Sequence, residues 1–315
     1  MAYNLPFRDC SQYSAGGAAS LAGYQAWIDG LAAGIGGREA IVIVEPDGLG
    51  IIPFNTDLSG KAEWCKPAEA NPATAVSDRY AALNQAVDAL KANPNARVYL
   101  DGTHSGWLGV GDIASRLVKA GVQRADGFFV NVSNYEPTSR LERYGAWISQ
   151  CIHYATNTAE GGKRLGRYEA CASQYAPANV DDESTWAASD KWYADNVAAA
   201  PNPPGGARPL KHFVIDTSRN GQGAWSVPAG VAYPDPQRWC NPPDRGLGLT
   251  PTLQTGKPLI DGYLWVKVPG ESDGACDRGS GGKIDPVRGS ADPAAGAWFP
   301  QQALELIRLS NPAIR

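Results

Sequence analysis

Residues 40–50 read Ala-Ile-Val-Ile-Val-Glu-Pro-Asp-Gly-Leu-Gly, an apolar run that stops on two acids, a proline and two glycines. A short apolar run bounded by turn residues reads as a buried strand. Working outward from it, similar runs recur at 98–100, 128–131, 212–215 and 263–268, with enough chain between them for helices. Residues 80–92 are one such helix, with Leu83, Ala86, Val87 and Leu90 on a single face. Alternation of strand and helix predicts an α/β fold on a parallel sheet, and at 315 residues a barrel or a doubly wound sheet.

Each run hands over to polar side chains. Glu45 and Asp47 follow the first, Asp101, Thr103 and His104 the second, Asn131, Ser133 and Asn134 the third, Asp216 and Arg219 the fourth, and Glu271 and Asp273 the fifth. Ligands of parallel α/β folds bind at the carboxyl ends of the strands, so these ends predict one shared site. The three histidines, His104, His153 and His212, are scattered, and no G-x-S-x-G elbow is present. Neither a nucleophile–base pair nor a clustered metal centre is therefore expected. What remains is carboxyl chemistry from Asp9, Asp47, Asp101, Asp216, Glu271 and Asp273, accompanied by ten tryptophans. Carboxylates with aromatic platforms are the equipment for cleaving a glycosidic bond. Each acid also has a plainer reading. Asp47-Gly48, Asp101-Gly102 and Asp273-Gly274 are turn dipeptides, and Asp216 before Thr217-Ser218 fits a hydrogen-bonded loop anchor. His104 fits a satisfied buried histidine, most tryptophans fit the core, and the sequon at 131–133 sits at a strand end that carries no glycan.

With 43% apolar residues the chain is read as one domain over 1–315, without a linker or carbohydrate-binding module. Its net charge of −4, with no basic block, argues against nucleic acid. No apolar stretch approaches the roughly 18 residues a membrane helix needs. Six cysteines without metal-type spacing point to disulfides and an oxidising, extracytoplasmic setting, and composition alone leaves their pairing open. Residues 136–208 and 270–297 read as long irregular stretches, bearing Trp147, Trp186, Trp192 and Trp298, that serve as lids or rims. No leader precedes Tyr3, so the start reads as a shortened terminus.

Several spaced motifs carry a resemblance. They are Tyr3-Asn4-Leu5-Pro6 with Arg8-Asp9-Cys10, Val44-Glu45-Pro46-Asp47, Tyr99 to Trp107, Asp216-Thr217-Ser218-Arg219-Asn220-Gly221, Arg238-Trp239-Cys240-Asn241 and Leu264 to Gly274. Together they resemble glycoside hydrolase family 6, the inverting β-1,4-glucanases. The resemblance implies a distorted, TIM-like parallel β/α barrel, seven-stranded in the family, here lacking the first strand at the N-terminus and so leaving an unpaired edge. It implies Asp47 as general acid, Asp9 as the aspartate that raises its pKa, Asp273 as base, Asp101 as a further site aspartate and Tyr3 as the residue crowding the distorted sugar. An inverting pair should stand roughly 6.5–9.5 Å apart. Trp107, Trp239, Lys267, Glu271, His104 and Asn131 are implied as substrate-binding, with Arg219 paired to Glu271. The implied disulfides are Cys10–Cys65, Cys151–Cys171 and Cys240–Cys276. The expected protein is a secreted, extracellular monomer acting on cellulose and cello-oligosaccharides, with no metal or cofactor. The short loop after Asp9, and Val110 where cellobiohydrolases carry an outer tryptophan, favour an endoglucanase. The alternatives are a cellobiohydrolase and a catalytically impaired glucan-binding barrel.

Overall fold

The computed structural model describes residues 1–12, 14–199, 201, 206 and 209–314. Its elements run α1 (Leu21–Ile35), β1 (Ala40–Val44), α2 (Ala75–Lys91), β2 (Ala96–Asp101), α3 (Val110–Lys119), β3 (Gly127–Val130), α4 (Thr138–Ala155), α5 (Ala187–Tyr193), β4 (His212–Asp216), β5 (Ile260–Leu264) and α6 (Pro300–Arg308). The α/β reading is borne out. The strands form one sheet in the order β1-β2-β3-β4-β5. Ile43 lies opposite Tyr99 and Leu100 opposite Phe128, both in parallel register. A doubly wound sheet reverses its strand order part-way, whereas this one advances without reversal, as a barrel wall does. On the other edge of β1, Ala2 makes a single parallel bridge to Val44. Its N–H donates to Ile43 O at 2.8 Å and its carbonyl accepts from Glu45 N at 2.8 Å. Further back along that edge Ile41 is 42% exposed.

The chain divides into two compact units. The first comprises Met1–Val130, Glu142–Val214 and Lys257–Asp261. It contains the apolar strands β1 to β3 and the buried face of α2, where Leu83, Ala86, Val87 and Leu90 fall as the spacing predicts. It also holds an aromatic cluster of Trp147, Trp186 and Tyr193, with the first two ring centroids 5.1 Å apart. The second unit comprises Asn131–Leu141, Ile215–Gly256 and Gly262–Arg315. Its interior holds Arg278, which donates to both carboxyl oxygens of Asp285 at 3.0 and 2.6 Å, and the apolar side of α6 at Ala303 and Leu306.

Two expectations are corrected. Residues 136–208 are not irregular throughout, because they open with the 18-residue helix α4. Leu141, Tyr144, Ile148, Cys151, Ile152 and Ala155 are all buried, at the three- and four-residue spacing of one helical face. The fifth strand is β5 and ends at Leu264, so residues 265–268 lie beyond it. There the main-chain N–H groups of Val266 and Lys267 donate to the Asp216 carboxyl instead of a neighbouring strand. Trp265 Nε1 likewise donates to Leu249 O at 2.9 Å. All three implied disulfides form. No helix among the described residues is long and apolar enough to cross a membrane.

Candidate active site

In the first unit the site grows from the end of β1. Glu45 and Asp47 both adopt left-handed backbone, with φ of 55° and 63°. Each such non-glycine residue costs on the order of 1–3 kcal/mol and persists only where its surroundings hold it. Here the hold is visible. The buried Glu45 carboxyl accepts from Asn4 N at 2.9 Å and Leu5 N at 3.1 Å, fastening the segment that carries Tyr3. Burial pushes its pKa above the usual range, and these N–H donors work against the shift. Arg79, reaching up from α2, donates to Gly48 O at 2.7 Å, Ile51 O at 2.9 Å and Pro6 O at 3.1 Å. Arg116 from α3 donates to Leu49 O at 2.9 Å and is paired with Glu63 at 2.6 Å.

Asp101, at the end of β2, completes this frame. Its carboxyl accepts from Leu49 N and Gly50 N at 3.1 Å and from Thr103 N at 2.8 Å, and burial pushes it up to about 6. Asp101 thus holds the turn that presents Asp47. Tyr3 lies close enough to both Asp47 and Asp9 that, after burial, their charges push its hydroxyl well above the ordinary tyrosine range. Asp9 is itself raised by burial, opposed by the Ser14 N–H at 2.9 Å and by Arg8. Its segment is left-handed at Phe7, Asp9, Cys10 and Ser11, and Cys10–Cys65 secures it.

Trp107 packs on Cys10, Ile51 and Cys65. A Cβ on Gly50 would stand 2.3 Å from its ring, so only glycine lets the indole lie there. His104 lies 5.8 Å from Trp107 between ring centroids, and its Nδ1 accepts from Gly106 N at 3.2 Å. Burial lowers its pKa to about 4, which keeps the ring neutral at ordinary pH.

In the second unit Asp273 is the centre. One carboxyl oxygen accepts from Arg219 Nη1 at 2.9 Å, Asn241 N at 3.0 Å and the Tyr135 hydroxyl at 3.1 Å. The other stands 3.7 Å from Lys267 Nζ. Arg219 is therefore paired with Asp273 and not, as expected, with Glu271. It is fully buried, and the buried carboxylate within its reach is Asp273; Glu271 makes no ion pair among the described residues. Burial opposes the Arg219 charge most strongly, but the charge and hydrogen bond of Asp273, with Tyr135 and Asp216, together outweigh it and raise the guanidinium pKa. Asn241 locks the loop from behind. Its side chain donates to Ser272 Oγ at 3.0 Å and Gly274 O at 2.9 Å and accepts from Asp273 N at 2.8 Å.

Asp216 is the loop anchor that its setting suggested. Its buried carboxyl accepts from the main-chain N–H groups of Ser133, Ser218, Val266 and Lys267. Asn131 is buried and spends its amide inside the protein, donating to Asp216 O at 2.9 Å and accepting from Glu136 N at 3.0 Å, which leaves no room for a glycan. Trp239 and Glu271 are half-buried on the same unit. Cys276, Asp285 and Asp292 also cluster, but the Cys276 sulfur is bonded to Cys240 and Asp285 is taken by Arg278. Of the supporting residues, Glu45 was marked by its place behind an apolar strand and Asn241 by its motif, without a role for either, whereas Arg79, Arg116 and Tyr135 were not singled out from sequence.

The family model "Glycosyl hydrolases family 6" matches residues 1–310. The chain belongs to this family. Endoglucanase A of Cellulomonas fimi is 33% identical over 306 residues, 97% of this chain and 46% of that protein. A probable 1,4-β-D-glucan cellobiohydrolase C of Aspergillus terreus is 30% identical over 338 residues, 99% of this chain and 59% of that one. This family 6 chain thus spans about half the length of the curated relatives it matches. The solved endoglucanase Cel6 of Mycobacterium tuberculosis, in complex with methyl-cellobiosyl-4-deoxy-4-thio-β-D-cellobioside, is 33% identical with a TM-score of 0.63, covering 96% of this chain and 73% of that one. The likeness bears out the distorted β/α-barrel class.

Proposed function

We propose that the chain is an inverting endo-β-1,4-glucanase, a secreted and monomeric catalytic domain that cuts internal bonds of cellulose and related β-1,4-glucans. The observation that carries the reading is the group at the ends of β1 and β2: Tyr3 in the field of both Asp9 and Asp47, with Asp101 bracing the turn that presents Asp47. In this reading Asp47 is protonated and donates to the leaving oxygen, since a neighbouring carboxylate such as Asp9 disfavours its ionisation. Asp273 accepts the proton of the attacking water on the opposite face of the sugar. Tyr3 crowds the sugar at the cleavage point. Trp107 and Trp239 stack on the apolar faces of glucosyl rings, and Lys267, Glu271 and His104 orient hydroxyls. Arg219 and Asn131, both buried, shape the site from behind.

The endo mode is supported by the short loop after Asp9 and by likeness to proteins named endoglucanases. A second reading, cellobiose release by a cellobiohydrolase, is favoured by the likeness to the Aspergillus protein. Incubation with carboxymethylcellulose separates them. Endo attack collapses viscosity early relative to new reducing ends, whereas slow viscosity loss with cellobiose dominating moves the assignment to the second reading. New ends released as the β-anomer would exclude inversion. Asp47→Ala should lower kcat at least about 100-fold, the scale of general acid catalysis, while oligosaccharide binding persists. Near-normal rates in that variant would remove Asp47 from its role.

A further inference from the structure

The disulfide-bound segment after α4 lies against the loop that carries Trp107. The Leu108 carbonyl accepts from Tyr144 Oη at 2.8 Å and Gln174 Nε2 at 2.9 Å, and the Trp107 carbonyl accepts from Tyr175 Oη at 2.8 Å. A Cβ on Gly111 would meet the Tyr168 carbonyl at 2.2 Å, so the absence of a side chain there lets the same segment lie on the first turn of α3. The segment is stiffened from within. Ser173 Oγ accepts from Tyr175 N at 3.1 Å, Ser189 Oγ donates to Ser173 O at 2.7 Å, and Cys171 is bonded to Cys151.

What this scaffold presents is a tyrosine in an unusual attitude. A surface tyrosine ordinarily lays its ring on the protein and gives its hydroxyl to water. Tyr175 commits its hydroxyl to the main chain beside Trp107 while 45% of the residue stays exposed. A single exposed aromatic needs no explanation by itself. One whose orientation is fixed by a hydrogen bond to the main-chain carbonyl of the aromatic sugar platform itself, Trp107, is different, because a flat ring already held in place loses little freedom when a ligand stacks on it. The first turn of α3, Val110-Gly111-Asp112-Ile113, contains no aromatic residue.

We propose that Tyr175 forms a further sugar subsite, stacking the apolar C–H face of a β-1,4-linked glucosyl unit beyond the unit held at Trp107. The proposal rests on the reading of Trp107 as a sugar-binding residue and deepens the proposed function by making chain length a determinant of affinity. An exposed, carbonyl-anchored ring sets the platform, and the Cys151–Cys171 segment sets its place.

The test is a series of cello-oligosaccharides from cellotriose to cellohexaose, with KM and kcat measured for the wild type, Tyr175→Ala and Tyr175→Phe. Tyr175→Ala should raise KM about 3- to 10-fold for the longest oligomers, the scale of one aromatic contact, with a smaller effect as the oligomer shortens and kcat least affected. Tyr175→Phe, which keeps the ring and loses its anchor, should show the same length dependence with a smaller loss. An effect equal at every length, or none at any, overturns the subsite. If the wild type cleaves no oligomer, the proposed hydrolysis fails, and calorimetric binding of cellotriose and cellohexaose then reads the subsite by itself. Tighter binding of cellohexaose that Tyr175→Ala abolishes supports it, and equal binding in both proteins refutes it.

Discussion

Asp101→Asn isolates what burial of one carboxyl contributes to the energetics of the site. The wild-type carboxyl is enclosed at the end of β2, and burial raises its folded-state pKa from 3.8 to about 6 against the pull of three N–H donors. The unfolded chain gives up this proton near 3.8, while the folded chain keeps it until about 6. The stability conferred by the bound proton is therefore fully present below 3.8 and is lost as pH rises towards 6. At about 1.4 kcal/mol per unit, a gap of roughly two units amounts to about 3 kcal/mol. Asparagine has no such titration. Its –NH2 group must face the Thr103 N–H, a mismatch of about 1–3 kcal/mol that does not vary with pH. Guanidinium unfolding followed by tryptophan fluorescence between pH 3.5 and 8, disulfides intact, measures the difference between the two proteins. The variant should be the less stable at low pH and should gain about 3 kcal/mol on the wild type by pH 7. Parallel stability curves, or a gap that widens with pH, would refute the reasoning.

Two further substitutions probe the frame in each unit. Arg219→Leu leaves the Asp273 carboxylate buried without its guanidinium, and an unfolding free energy about 3–5 kcal/mol lower is expected, against less than 1 kcal/mol if the pair is dispensable. Gly50→Ala places a methyl group 2.3 Å from the Trp107 ring. Overpacking on that scale costs about 1–3 kcal/mol and displaces the indole, so a lower melting temperature should accompany a raised KM for cello-oligosaccharides, and an unchanged KM would detach Trp107 from substrate.

The strand ends were legible because apolar runs and the residues behind them are local signals: Ile43-Val44 then Glu45, Leu100 then Asp101, Ile215 then Asp216. The buried cations were not. Arg79 and Arg116 sit on helices whose sequence gives arginine its usual solvated role, and only the fold turns them inward to the carbonyls of residues 48–51. The face of α4 was present in the spacing of Leu141, Tyr144, Ile148, Cys151 and Ala155, but the glycines and prolines further along obscured it. Lys267 and Val266 looked like strand and are not, because the acceptor that captures their N–H groups, Asp216, is some 50 residues away in sequence. The same non-local choice separates Arg219 from Glu271. A guanidinium can be assigned to a site from its motif, but which of two nearby acids it meets depends on which one the fold buries.

Asn241 bears on what the neighbouring disulfide is for. Cys240–Cys276 closes a loop across a separation of 36 residues, which by loop-closure entropy restrains the unfolded chain by about 4 kcal/mol. Yet the loops it joins are already tied in the folded protein by four hydrogen bonds between Asn241 and residues 272–274. A mild reductant that opened this bridge would therefore leave the setting of Asp273 intact as long as the protein stays folded. The asparagine guards the geometry and the bridge guards the way back to it, so loss of the disulfide would show first as slower recovery after heating and only later as lost catalysis.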